Sequence, residues 1–92
     1  MKRYAYTVTG IVQGVGFRYF TKSTADRLHL TGWVRNADDG SVEGEVQGND
    51  AACTSFLERL RRGPSYAYVE EVVMSERPVL ENDTTGFAIS GY

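Results

Sequence analysis

An α+β fold of order βαββαβ is what this sequence predicts: an antiparallel sheet, two helices on one of its faces, and a short extra C-terminal strand. Three observations carry that expectation. Segments of period-two alternation flank two segments whose apolar residues recur at helical spacing. Each helical segment has one apolar stripe, so each covers a sheet on a single side. The connections are too short to send the helices to opposite faces.

Lys2 to Val12 sets Tyr4, Tyr6, Val8 and Val12 on one face of a strand and Ala5, Thr7, Thr9 and Ile11 on the other. A helix follows, with Phe17, Phe20, Thr24, Ala25 and Leu28 in its stripe and Lys22, Asp26 and Arg27 outward; Gly32 is expected to stop it. Trp33 and Val34 begin a short strand that ends at Asn36. Ala37-Asp38-Asp39-Gly40 then turns a hairpin, because aspartate bonds local backbone and glycine supplies positive φ. The second arm, Ser41 to Gln47, alternates Val42, Gly44 and Val46 against an outward Glu43, Glu45 and Gln47.

Asn49 or Asp50 caps a second helix, in which Ala52, Cys53, Phe56, Leu57 and Leu60 face inward. Gly63-Pro64 ends it. Tyr66 to Glu76 reads as a strand with Tyr68, Val72 and Met74 alternating against Val69 and Val73, limited by Pro78. Glu81 to Gly86 is polar loop, and Phe87 to Tyr92 has room for one last short strand. The order is ferredoxin-like, with the first and third strands central and the second beside the third.

With 92 residues, 1–92 is expected to form a single domain with one core. One cysteine excludes an internal disulfide framework and a Cys-rich zinc site, and suits a reducing cytoplasm. The N-terminus, MKRYAYTVTG, alternates at once and has no continuous apolar run for export or for a membrane span. Ten basic against twelve acidic residues argue against a general affinity for nucleic acid or an anionic membrane. A small anionic substrate would need a local positive site.

GIVQGVGFRYF, Gly10 to Phe20, offers one. Gly14 and Gly16 lack Cβ, so the backbone can take positive φ and point several N–H groups at one centre. The following helix adds its unpaired N-terminal N–H groups, and Arg18 is placed to fork onto two oxygens of the same anion. Neither nucleotide motif fits. Lys22-Ser23 follows Thr21 rather than glycine, and Tyr19 stands where a dinucleotide fingerprint needs its third glycine. From spacing alone, a plain strand-to-helix connection with a solvated arginine stands beside the cradle reading.

Other candidates reduce to structure. His29 lies near a helix end with no Cys, His or carboxylate cluster about it, and Asp38 and Asp39 are explained by the turn. Cys53 falls on an apolar stripe and reads as a small hydrophobe. Arg59, Arg61 and Arg62 suit the C-terminal end of a helix dipole and read as a solvated face. No residues cluster at metal-ligand spacing, so neither a metal nor a cofactor is expected.

GIVQGVGFR resembles the signature of the acylphosphatases, which hydrolyse the mixed anhydride of a carboxylic acid and phosphate. GWVRNADDGSVEGEVQG, Gly32 to Gly48, is similar to that family's other motif, with Asn36, Gly40 and Gly48 in place. Weaker similarity runs through Gly63-Pro64, Ala67 to Val72 and Phe87-Ala88-Ile89, so the likeness covers nearly the whole chain. It implies the same ferredoxin-like fold and a cytoplasmic, monomeric hydrolase without metal or cofactor. It also implies a phosphate-binding backbone from Gln13, Gly14, Val15, Gly16, Phe17 and Arg18. Arg18 would bind the phosphoryl group and Asn36 would position the attacking water. The substrate would be a small acyl phosphate, with inorganic phosphate as product and competitive inhibitor.

Two alternatives are kept. The glycine turn is also similar to the acylphosphatase-like domain of hydrogenase-maturation carbamoyltransferases; there it is part of a long chain, so a free 92-residue product is expected to be the enzyme. A non-catalytic ferredoxin-like binding module is the other, since fold does not fix function. RNA-recognition domains place aromatics in the third strand, whereas Ser41 to Gln47 has none.

Overall fold

The computed structural model describes residues 1–83 and 85–90. Seven elements follow in order: β1 Lys2–Ile11, α1 Phe17–Arg27, β2 Thr31–Asn36, β3 Val42–Gly48, α2 Asp50–Arg62, β4 Tyr68–Arg77 and β5 Phe87–Ile89. They form one sheet of order β4-β1-β3-β2-β5. The expected βαββαβ arrangement is present, with β1 and β3 central and β2 beside β3. The pairs among the first four strands are antiparallel, and the appended β5 runs parallel to β2. Gly91 and Tyr92, included in the expected last strand, lie outside the described residues.

One core unites both helices with one side of the sheet. Tyr6, Val8, Val34, Val42 and Val46 meet Phe17 and Ala25 of α1 and Cys53, Phe56, Leu57 and Leu60 of α2. Phe56 sits at its centre, edge-on to Tyr6 at 5.4 Å and tilted against Phe87 at 6.0 Å. Truncating such a ring costs about 3–5 kcal/mol, because the cavity collapses only partly. The Tyr6 hydroxyl donates to the Trp33 carbonyl at 2.9 Å, which satisfies the polar tip inside the core. That contact explains Gly44, where a Cβ would strike both groups.

The two helices end by different chemistry. Asn49 caps α2, its side-chain oxygen accepting from the Ala52 N–H at 2.8 Å, and Gly63 closes the helix at φ 69°. The end of α1 corrects the expected stop at Gly32. The helix finishes at Arg27, and His29 takes the left-handed conformation at φ 56°. The His29 and Leu30 N–H groups then bond back to Asp26 and Ala25, the paired bonds of a Schellman cap. Gly32 lies inside β2, at φ 135°, where any Cβ would meet the Glu45 carbonyl.

Two further expectations change. On β4, Val69 packs on the core side with Val72 and Met74, while Tyr68 is 62% exposed. The cause is a bulge: Thr9 pairs with Glu71 but Gly10 pairs with Val69, so Glu70 is skipped and the alternation shifts by one. On β3, Gln47 is buried rather than outward. It joins Arg3, also buried, in a polar network on the sheet face away from the helices. Arg3 reaches Glu45 at 2.6 Å and Asp83 at 3.3 Å, and Gln47 bonds both backbone groups of Leu80. This network straps the segment after β4 across the sheet.

Candidate active site

Val12 and Phe17, each about 1% exposed, pin the two ends of the glycine loop into the core, and Val15 packs partly against it. Between these anchors the backbone turns out to solvent. Gly14 at φ 76° and Gly16 at φ 79° take the left-handed conformation, and nothing lies within 4 Å of where their Cβ atoms would be. The loop backbone at both glycines is therefore open, with no side chain or neighbouring group over it.

Helix α1 starts there without a side-chain cap and with no acidic residue in its first turn. Helix α2 differs on both counts, having Asn49 as cap and Asp50 in its first turn. The end of α1 therefore presents its positive dipole and first N–H groups towards the loop, and its own first turn holds no carboxylate. Arg18 is the second residue of this helix and is half-buried.

Sheet register brings Asn36 to the same end of the molecule. Val8 of β1 pairs with Val42 of β3, and Val42 pairs with Asn36 of β2. Three residues thus lie in one row across the sheet, about 10 Å from first to last at the usual strand spacing. The loop follows β1 a few residues later. The side chain of Gln13 completes the approach, its amide nitrogen donating to the Ala37 carbonyl at 2.7 Å and the Ser41 carbonyl at 2.9 Å. Sequence reasoning gave Gln13 a backbone role only. Nothing in the spacing announces that its side chain ties the loop to the hairpin.

Asn36 has an unusual feature. Its side-chain oxygen is buried and, among the described residues, has no hydrogen-bond partner. An orphaned buried acceptor is costly and is found where a ligand or ordered water completes it. The neighbouring Asp39 behaves as the turn reading requires. Its carboxylate accepts from the Ser41 hydroxyl at 2.6 Å and the Ser41 N–H at 2.9 Å, and these bonds hold it below the usual carboxylate range. Burial pushes the Cys53 thiol up, so it stays protonated on α2. No group of three or more His, Cys, Asp or Glu could hold a metal ion among the described residues.

A family model described as Acylphosphatase matches residues 4–89, the glycine loop and Asn36 included. The chain belongs to the acylphosphatase family. An acylphosphatase of Moorella thermoacetica is 55% identical over 74 residues, 79% of this chain and 80% of that one. Another, from Bifidobacterium longum, is 46% identical over 82 residues, 89% of this chain and 84% of that one. The crystal structure of acylphosphatase from Bacillus subtilis superposes with a TM-score of 0.93 at 41% identity, covering 99% of this chain and 100% of that one. A full-length HypF in phosphate- and nucleotide-bound form also matches, at TM-score 0.88 and 31% identity; 98% of this chain corresponds to 12% of that one. The ferredoxin-like arrangement is thus the fold of the family.

Proposed function

We propose that this chain hydrolyses acyl phosphates to a carboxylate and inorganic phosphate, and that residues 1–92 work as one domain. The observation that carries the proposal is the meeting of two family motifs: Gln13 ties the glycine loop to the residue after Asn36.

In the proposed reaction the N–H groups of Gln13, Gly14, Val15, Gly16, Phe17 and Arg18 donate to the phosphoryl oxygens, and the Arg18 guanidinium forks onto two of them. A water donates a hydrogen bond to the Asn36 side-chain oxygen and turns its lone pair to phosphorus. As the new P–O bond forms, the bond to the acyl oxygen breaks and the carboxylate leaves with the electron pair. Asparagine takes no proton near neutral pH, so the water's proton passes to a phosphoryl oxygen or to solvent. The leaving group is already a stable anion, and neither a nucleophile nor a strong acid is required.

Placement and charge supply the acceleration. Orientation contributes on the order of 7–11 kcal/mol in favourable cases, and each well-aimed donor about 3–4 kcal/mol. Phosphoryl transfer leans on such cradling. We further propose that inorganic phosphate competes with substrate, that the chain acts as a monomer, and that it works in the cytoplasm. No helix among the described residues is long and apolar enough to cross a membrane.

A second reading rests on the HypF match: the same unit serving as part of a longer protein. The test is to incubate the chain with benzoyl phosphate or acetyl phosphate in excess chelator and follow loss of the anhydride. Turnover supports the hydrolase; no loss above the spontaneous rate contradicts it.

A further inference from the structure

The arginines near the end of α2 are the motif that the proposed reaction leaves unused. Two of the three, Arg59 and Arg62, line a groove of about 360 Å³ between the helices, with Phe20 of α1, Ser55 and Glu58 of α2, and Gly63. Arg61 is not part of its wall. Residues three apart on a helix lie side by side, so the two guanidiniums face the same opening. Among the described residues neither is paired with a carboxylate. A helix dipole explains cations here but not an aromatic wall opposite them.

We propose that this groove is a second ligand site, for a small amphipathic carboxylate. The carboxylate lies on Arg59 and Arg62, where planar forks match its two oxygens, and the apolar body lies against Phe20. The Ser55 hydroxyl is a further donor. Free phosphate leaves Phe20 uncovered, and an uncharged apolar molecule leaves both cations unpaired. The volume suits a ligand of modest size. Both guanidiniums are exposed, so affinity stays in the range of about 1 mM. Glu58 opposes the bound anion.

The test is an amide NMR titration with benzoate, fitted residue by residue. Expected are shifts at Phe20, Ser55, Arg59 and Gly63 that share one Kd. Arg59→Gln with Arg62→Gln raises that Kd at least about fivefold, Glu58→Gln lowers it about twofold, and Arg61→Gln leaves it unchanged. Benzyl alcohol at equal concentration leaves these amides unmoved. All the substituted side chains are exposed, and the dispersion of the spectrum reports that each variant is folded. Shifts confined to residues 13–18, an unchanged Kd in the double variant, or equal dependence on Arg61 would overturn the proposal.

Discussion

The side-chain amide of Gln13 donates to the Ala37 carbonyl at 2.7 Å, and so joins the glycine loop to the hairpin that carries Asn36. A second bond, to Ser41 at 2.9 Å, uses the same nitrogen. Removing that amide should let the two halves of the site drift. Gln13→Ala is expected to lower kcat/KM by about 10- to 100-fold, because a misplacement near 1 Å has that effect. Stability should fall by only about 1–2 kcal/mol, since Ser41 still accepts from Ala37. Urea unfolding beside steady-state kinetics separates the two losses; a variant with native activity would show that the tie is dispensable.

Glycines in the same segment should respond to different degrees. At Gly10 a Cβ would strike the Tyr68 carbonyl at the β4 bulge, and φ is 126°. Gly10→Ala is expected to cost about 3 kcal/mol or more, with overpacking and backbone strain adding. Gly14 has open space and needs only a left-handed backbone, so Gly14→Ala should cost roughly 1–2 kcal/mol. Thermal melts rank the two. Phosphate affinity should nonetheless fall in Gly14→Ala, because the N–H groups it orients belong to the proposed cradle.

Strong acid should loosen the strap. Burial disfavours the charged form of Asp83, but hydrogen bonds from Thr31 and Thr85 and the charge of Arg3 outweigh it and hold the carboxyl below its usual range. A depressed folded-state pKa stabilises above the unfolded value near 3.8 and loses that contribution as pH falls through the folded value. Asp83→Asn should therefore lower Tm at pH 6, by a gap that closes as pH falls below the ordinary carboxylate value and through the depressed folded-state one. A constant gap in Tm across that range would contradict the assignment.

Much of this fold is legible because its signals are local. Phe56, Leu57 and Leu60 mark the buried face of α2, and Asn49 and Gly63 mark its ends, through spacing and capping that one segment determines by itself. What escapes sequence reading is set by partners far along the chain. Val69 turns inward because Gly10, some sixty residues earlier, pairs in a way that skips Glu70. Gln47 is buried because Arg3 and Leu80 receive it. His29 ends α1 with a conformation usually left to glycine, so no residue type announces it. In the site, the glycine loop and Asn36 are visible as motifs, whereas the Gln13 bridge and the burial of the Asn36 oxygen exist only in three dimensions.

Phosphate titration of Asn36→Ala and Arg18→Lys by calorimetry, with circular dichroism as folding control, tests the proposed roles most directly. Asn36→Ala should abolish most turnover yet bind phosphate with near-native affinity, because Asn36 is proposed to touch water alone. Its stability should hold or rise, since the change removes a buried acceptor that has no partner among the described residues. Arg18→Lys keeps the charge but loses the fork, and a charge-assisted bond is worth about 1.5–3 kcal/mol, so phosphate should weaken by ~10-fold or more. If Asn36→Ala loses phosphate while Arg18→Lys keeps it, the assignment of water to Asn36 and of the phosphoryl group to Arg18 is contradicted.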